Sequence, residues 1–526
     1  MTSIINSIWW ERTYLVVELS EKTTHTPTLV SVDGNTICNF ALDEENSSGC
    51  LYKLNIAIAG GRSLLDTGDW ILCASAGAEP MEISEEVLLG IEDCNRSFFY
   101  GPNGSRLYSV RFLVESKNET PYLRIRIGYY RSDKHPKRDI SLGSFVKAAA
   151  NCLYHLMLLF HPKRGNKVLF MSENNTELIG NMAAIDARMK ERGLTQEYKL
   201  DYSLRNIFGR KKSIGEWLRV LNAIASHDYI FVEDYVPIFA ALHLSNKTKL
   251  IQVWHAGFGF KAVGFGRFGI QGSPNPFNSC HRKYTYALVG NEYLREIYSE
   301  VFGIEREALL ATGMPRLDGF LDERKIKSAQ QKFYNEFPQA KGKRIILFAP
   351  TYRGQSQNEA YYDFGKVDFG ALCTLCEKTN SLILFKMHRF ISERVRFPES
   401  SERCFINISD WNINDAFYVT DILVTDYSSC FYDFLLLEKP TVFYCYDEPY
   451  YAATRGIHRP VGDIAPGNIC RNFDELVNEL YKTELQRPTE VDRRLIDRCA
   501  EGSGRASDRV IDAIFFEELA EGVCLR

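Results

Sequence analysis

Asp421-Ile-Leu-Val-Thr-Asp426-Tyr-Ser428-Ser429-Cys-Phe-Tyr-Asp433 passes from a short continuous apolar run into two serines and the start of a helix. A run of that length without alternation is a strand covered on both faces, as parallel sheets are. The same rhythm occurs in Arg344-Ile-Ile-Leu-Phe-Ala-Pro350, Ser381-Leu-Ile-Leu-Phe-Lys386-Met and Thr441-Val-Phe-Tyr-Cys-Tyr446. It occurs earlier too, in Lys167-Val-Leu-Phe-Met-Ser172, Tyr229-Ile-Phe-Val-Glu233 and Lys249-Leu-Ile-Gln-Val-Trp254, with helical segments such as Ser213-Ile-Gly-Glu-Trp-Leu-Arg-Val-Leu-Asn-Ala-Ile-Ala225 between the runs. Strands alternating with helices predict crossover units. The rhythm restarts after the turn-rich connector Thr312-Gly-Met-Pro-Arg316-Leu-Asp-Gly-Phe-Leu-Asp322, so two doubly wound α/β domains, 166–325 and 326–526, are expected to face each other across a cleft. Ligands of open parallel sheets bind outside the carboxyl ends of the strands.

The first 130 residues have another period. Thr13 to Leu19, Pro27 to Val32, Leu51 to Ile58, Tyr108 to Val114 and Tyr122 to Ile127 alternate apolar and polar residues, with turn signals such as Asp33-Gly-Asn between them. That pattern predicts half-buried strands and an antiparallel β-sandwich, with a recognition, assembly or structural role and no chemistry of its own. Residues 131–165 form a basic linker followed by an apolar stretch from Ser144 to Phe160, interrupted by Lys147 and His155. The stretch is shorter than the roughly 20 residues of a bilayer span. An interfacial helix on an anionic membrane and a linker helix packed on the next domain both fit it, and packing is the commoner cause of such a stretch.

Composition bounds the rest. The chain of 526 residues has 45% hydrophobic and 25% charged residues, a globular balance. A net charge of −4 argues against a general nucleic-acid surface. Its 14 cysteines have no repeated spacing, and Cys373 and Cys376 lack a second pair to complete a zinc site, so reduced thiols are expected. The start of the sequence carries no secretory signal, which predicts a chain that stays inside the cell.

Chemistry is concentrated where the strands end. His255 follows the run ending at Trp254, at a position suited to a general base, and glycines after it allow close backbone approach. Thr351 and Arg353 follow the strand before Pro350, and an Arg fork with a hydroxyl can grip phosphate oxygens. Lys386 and His388 alternate to one side at the end of another strand. Asp426, Ser428 and Ser429 open a helix whose free N–H groups suit a diphosphate, and the same residues are ordinary helix caps elsewhere. No carboxylate cluster reads as a magnesium cage, so no cofactor is evident, and a magnesium requirement is left open.

In this order, Trp254-His255-Ala256, Gly313-Met-Pro-Arg316, Ala349-Pro-Thr-Tyr-Arg353, Lys386-Met-His388, Thr425-Asp-Tyr-Ser-Ser429 and Arg455-Gly456 resemble the CDP-glycerol glycerophosphotransferase family, over roughly residues 165 to 515. The resemblance implies a fold of the glycosyltransferase B type and transfer of a polyol phosphate, from CDP-glycerol or CDP-ribitol, to a hydroxyl of a lipid-linked acceptor, with release of CMP. It implies that His255 is the base and that His388, the second catalytic residue, is among those that hold the donor pyrophosphate. Thr351, Arg353, Lys386, Ser428 and Ser429 would hold the donor phosphates, and Asp426 would orient a donor or cap the helix. Ala256 and Lys386 depart from the commoner family residues and point to a subgroup with Phe260-Lys261 after the histidine, which includes ribitol-phosphate transferases. Lys261, Arg267 and Arg316 are expected on the acceptor side, with Gly264 to Gly269 as a mobile flap. The expected location is cytoplasmic, peripheral on the membrane face. A nucleotide-sugar glycosyltransferase or epimerase of the same fold, or an inactive glycan- or nucleotide-binding scaffold, are the competing readings.

Overall fold

The computed structural model describes residues 4–23, 25–43, 48–100, 106–131, 142–205, 212–255, 262–269, 273–354, 359–391, 395–399, 401, 403–482, 484–485, 487–488 and 504–516. Two antiparallel sheets come first. One orders its strands Ile5–Glu11, Tyr14–Leu19, Leu51–Asn55, Ala41–Leu42; the other runs Ile37–Asn39, Thr28–Ser31, Gly68–Cys73, Thr120–Arg131, Arg106–Lys117, Arg96–Tyr100. Leu15, Val17 and Leu54 of the first sheet share one core with Leu29, Trp70, Val110 and Ile125 of the second. Period-2 alternation puts these residues on inner faces, which is why two sheets close on each other.

Two six-stranded parallel sheets follow. In the first the spatial order is Lys199–Ser203, Lys167–Met171, Tyr229–Val232, Lys249–Gln252, Tyr286–Leu288, Leu309–Leu310. In the second it is Phe405–Asn407, Ser381–Phe385, Arg344–Phe348, Ile422–Thr425, Thr441–Tyr444, Asn468–Cys470. The strand order reverses beside Lys167–Met171 in one sheet and beside Arg344–Phe348 in the other, and such switch points open crevices at the carboxyl ends of the strands. Loops at those ends meet. Arg316, beyond the last strand of the first sheet, pairs with Asp433 beyond a strand of the second, and Asn291 Nδ2 lies 3.5 Å from Tyr432 Oη.

The apolar stretch forms the helix Leu142–Leu158. Tyr154 is fully buried, and Ala150, Leu153 and Met157 pack into the core of the first parallel sheet. The Tyr154 hydroxyl accepts from the Ser245 N–H at 3.1 Å. The opposite side is apolar as well: Phe145, Val146 and Leu156 are 66%, 57% and 53% exposed. Among the described residues no helix is long and apolar enough to cross a membrane.

Gly264 to Gly269 is not the flap expected from its glycines. Phe265 is fully buried under the guanidinium of Arg282, 4.4 Å from its ring. Phe268 enters the core of the antiparallel sheets, its ring stacked on Phe98 at 4.8 Å, while Gly269 bridges to Phe99. On the other side the Ala262 N–H donates to the Gly456 carbonyl at 3.0 Å, and a Cβ on Gly266 would fall 2.7 Å from the His458 ring. The glycines serve close approach on several sides, so the described part of the run is a stitch joining the sandwich to both parallel sheets.

A buried ionic junction makes the same connection. Glu300, fully buried in the helix Tyr293–Phe302, accepts from Arg12 Nε of the sandwich at 2.8 Å. It also accepts from Thr13 Oγ1 at 3.3 Å and lies 3.4 Å from His458 Nε2 beyond the second sheet. Burial raises the Glu300 carboxyl, but the neighbouring His458 and then Arg12 outweigh it and hold the carboxyl at about 2.

Candidate active site

The turn after Lys249–Gln252 is unusual. Trp254 has φ of 48°, a left-handed conformation that a bulky residue rarely adopts. Its N–H donates to Gln252 Oε1 at 2.9 Å, and its carbonyl accepts from Asn181 Nδ2 at 2.7 Å. The turn leaves His255 exposed, with Nδ1 3.3 Å from the Glu233 backbone oxygen. A proton on Nδ1 then donates to that carbonyl and leaves Nε2 with its lone pair. Protein packed around the rest of the ring lowers the His255 pKa by desolvation; the Glu233 carbonyl and Asp234 oppose this, and the charges of Arg316 and Arg389 add to it. At neutral pH the imidazole is neutral, which a base requires.

Sequence reading missed Glu233. It follows Tyr229–Val232 at the switch point of the first sheet, is only 4% exposed, and accepts from the Asn181 N–H at 3.4 Å through Oε1. Its Oε2 has no partner among the described residues. Desolvation first, and then the charge of Asp234, push the carboxyl up to about 7 against the Asn181 N–H, Arg316 and Arg389. The available signal was an acidic pair, Glu233-Asp234, where a buried strand ends.

On the second sheet the structure redistributes the expected phosphate ligands. Arg353 is 2% exposed. Its guanidinium donates to both carboxylate oxygens of Asp447 at 2.9 and 2.8 Å and to Asp426 at 2.5 Å, with the rings of Tyr362, Tyr427, Tyr446 and Tyr451 about it. Buried and committed on every edge, it braces the loop and does not present a fork to a phosphate. Asp426 is part of that brace: its other oxygen accepts from the Thr351 N–H at 2.7 Å, so it neither caps the following helix nor faces a donor. Thr351 itself is buried. Lys386 turns away to the Ser409 carbonyl, and desolvation lowers its pKa. Arg316, expected to meet the acceptor, gives both terminal nitrogens to Asp433. Arg267 lies within electrostatic reach of Arg455 and Tyr352, beside the second sheet rather than on the acceptor side. Lys261 lies outside the described residues.

His388, Ser428 and Ser429 keep the expected position. The His388 ring is 4.7 Å from Tyr352 and 4.8 Å from Phe390, and its Nδ1 accepts from the Phe390 N–H at 3.3 Å. In the neutral ring the proton therefore sits on Nε2, which is the donor a phosphate oxygen needs. Ser428 and Ser429 are half-buried; Ser429 stands at the helix start Cys430–Phe434 and makes no side-chain cap bond. Arg389, next to His388, is exposed and its charge reaches both His255 and Glu233. Unlike Arg353, it stands beyond its strand with an exposed side chain. Among the described residues no group of three or more His, Cys, Asp or Glu could hold a metal ion.

A neutral imidazole, exposed cationic charge and a serine-lined helix start at apposed strand ends are the parts of a transferase acting on a phosphorylated donor. A model of the family described as CDP-Glycerol:Poly(glycerophosphate) glycerophosphotransferase matches residues 153–516. Teichoic acid ribitol-phosphate polymerase TarL of Staphylococcus aureus is 35% identical over 385 residues, 72% of this chain and 67% of that protein. Teichoic acid ribitol-phosphate polymerase TarK of the same organism is 36% identical over 375 residues, 69% and 71% of the two chains. The solved structure of the wall teichoic acid polymerase TagF has the same fold, with a TM-score of 0.54 at 20% identity, covering 72% of this chain and 100% of that one. The chain belongs to the CDP-glycerol glycerophosphotransferase family.

Proposed function

We propose that the chain transfers a polyol phosphate from a CDP-activated donor to a hydroxyl of a lipid-linked acceptor, with ribitol phosphate favoured over glycerol phosphate because TarL and TarK are ribitol-phosphate polymerases. The observation that carries this reading is His255 at a strand end of the first sheet, its Nδ1 set on the Glu233 carbonyl and its ring within electrostatic reach of Arg389 beyond a strand of the second. His255 Nε2 takes the acceptor hydroxyl proton. The freed oxygen attacks the phosphorus bearing the polyol, the bond from that phosphorus to the bridging oxygen breaks, and CMP leaves with the electron pair. His255 then returns its proton to solvent. His388, Ser428 and Ser429 hold the donor phosphates, and positioning with charge neutralisation is most of what such a transfer asks of protein.

The same reading takes the two parallel sheets as the two halves of a glycosyltransferase B fold, with residues 166–325 on the acceptor side, 326–526 on the donor side and 1–130 as an accessory sandwich. It places the chain peripherally on the cytoplasmic face of the membrane. The support is the exposed apolar side of the helix Leu142–Leu158 at Phe145, Val146 and Leu156. The test is a donor screen with CDP-ribitol, CDP-glycerol and UDP-sugars on a primed acceptor, with and without magnesium, reading released nucleotide and product mass. CMP release with mass gain of one or more polyol phosphates is expected; release of UDP alone overturns the reading.

A further inference from the structure

Asn181 is fully buried in the first turn of the helix Gly180–Glu191, and every polar atom of its side chain is used. Nδ2 donates to the Val253 carbonyl at 3.0 Å and to the Trp254 carbonyl at 2.7 Å. Oδ1 accepts from the Arg316 N–H at 3.0 Å. The reverse orientation of the amide would put an oxygen against two carbonyl oxygens and an NH2 against an N–H, so the chemistry admits one placement. We propose that Asn181 is a positioning residue of the transfer, holding His255 in register with the donor-side helix start through its bonds to the Val253–Trp254 turn and to Arg316.

The connection can be followed atom by atom. The left-handed Trp254 puts its carbonyl where a strand would not, and Asn181 satisfies that carbonyl while Gln252 holds the N–H; removing Asn181 takes away one of the two side-chain anchors of the φ of 48° and loosens the placement of His255. The same side chain fixes the Arg316 backbone. Arg316 then grips Asp433 with two nitrogens, one at 2.8 Å. Asp433 lies in the helix Cys430–Phe434 that begins just after Ser429, so one amide is tied at one end to the base and at the other to the donor serines. The Asn181 N–H also meets Glu233. Gly180, with φ of 60°, fits there because any Cβ would collide with the Glu233 carboxylate. The charged groups that face His255 in this arrangement are Asp234, Arg316 and Arg389, with Glu233 beneath. Asparagine is required because the position asks for two donated bonds and one accepted bond: aspartate offers only acceptors, and leucine leaves buried carbonyls unpaired.

The proposal rests on His255 being the base, so His255→Ala is measured alongside. Asn181→Asp and Asn181→Ser in the full chain are compared with the native protein for turnover and KM of the donor accepted in the screen. Thermal midpoint and His255 ring titration follow, the latter by histidine-selective NMR assigned through His255→Ala. A displacement of about 1 Å at the reacting centre costs about a hundredfold in rate. The expected result is a fall of that order in kcat, donor KM changed by less than about threefold, a shifted His255 titration, and less than multiplicative loss when Asp433→Asn is added. Turnover within about twofold of native with the His255 titration unmoved overturns the proposal. So does unfolding at every substitution, which would make the residue a structural one only. Full turnover in His255→Ala is a separate result: it removes the base assignment, and this positioning role falls with it.

Discussion

Glu300→Gln is the most informative single change in the scaffold, because it removes one charge from a junction that ties three parts of the chain. The native carboxyl has no solvent exposure and is held at about 2, against an ordinary 4.5. Since each pKa unit is worth about 1.4 kcal/mol, the depression corresponds to about 3 kcal/mol of folding free energy. That agrees with the roughly 3–5 kcal/mol lost when one partner of a buried ion pair is removed. The sign follows from the depressed pKa: the contribution is complete above about 4.5 and is lost as pH falls toward 2. Glutamine keeps the shape, leaves the half-exposed Arg12 to water and strands His458, which is 4% exposed in its side chain. Urea unfolding followed by tryptophan fluorescence, to which Trp9, Trp10 and Trp70 contribute from the sandwich, reads the junction. Native and variant curves should differ by about 3 kcal/mol at pH 7, and the difference should shrink as pH falls below about 4.5, to roughly half at pH 3 and close to nothing below about pH 2. A difference below about 1 kcal/mol at pH 7, or one that stays constant down to pH 3, would refute the reasoning.

Arg353→Met should reduce stability by about 3–5 kcal/mol by leaving Asp426 and Asp447 buried without their partner; chemical denaturation and donor KM measured on the folded fraction separate this from a lost phosphate contact. Glu233→Gln acts in the opposite direction to Glu300→Gln. A carboxyl raised to about 7 gives stability that is fully present below about 4.5 and is lost as pH rises through 7, so the variant should gain up to about 3 kcal/mol over native between pH 5 and pH 8, read from unfolding midpoints across that range. Phe268→Ala should cost about 3–5 kcal/mol and raise amide exchange in Arg96–Tyr100, where Phe98 loses its stacked ring; unchanged exchange there would contradict the stitch.

The order of short apolar runs carried the two parallel sheets, because a strand buried on both faces needs an unbroken apolar run and that is visible in one dimension. Strand-end chemistry was readable for the same reason: His255, His388, Ser428 and Ser429 come directly after such runs, and local sequence fixes that they leave the sheet at its carboxyl edge. The strands Ile5–Glu11, Gly68–Cys73 and Arg96–Tyr100 were not read from the pattern, since their apolar residues do not alternate cleanly.

The sequence by itself determined the family, the rhythm of the sheets and which residues stand at the strand ends. Tertiary structure alone decided what those residues touch. Arg353 and Arg389 are both arginines just beyond a strand, but one is enclosed by Asp426, Asp447 and four tyrosines while the other stays exposed with its charge on His255. The partners that separate them lie 73 to 94 positions away for Arg353. Gly264 to Gly269 reads as a flap locally and is packed against the sandwich and the second sheet, because Phe98, Val301 and His458 arrive from distant segments. Desolvation and ion pairing depend on three-dimensional neighbours, so the assignment of brace, base and phosphate ligand among similar residues waits on the fold.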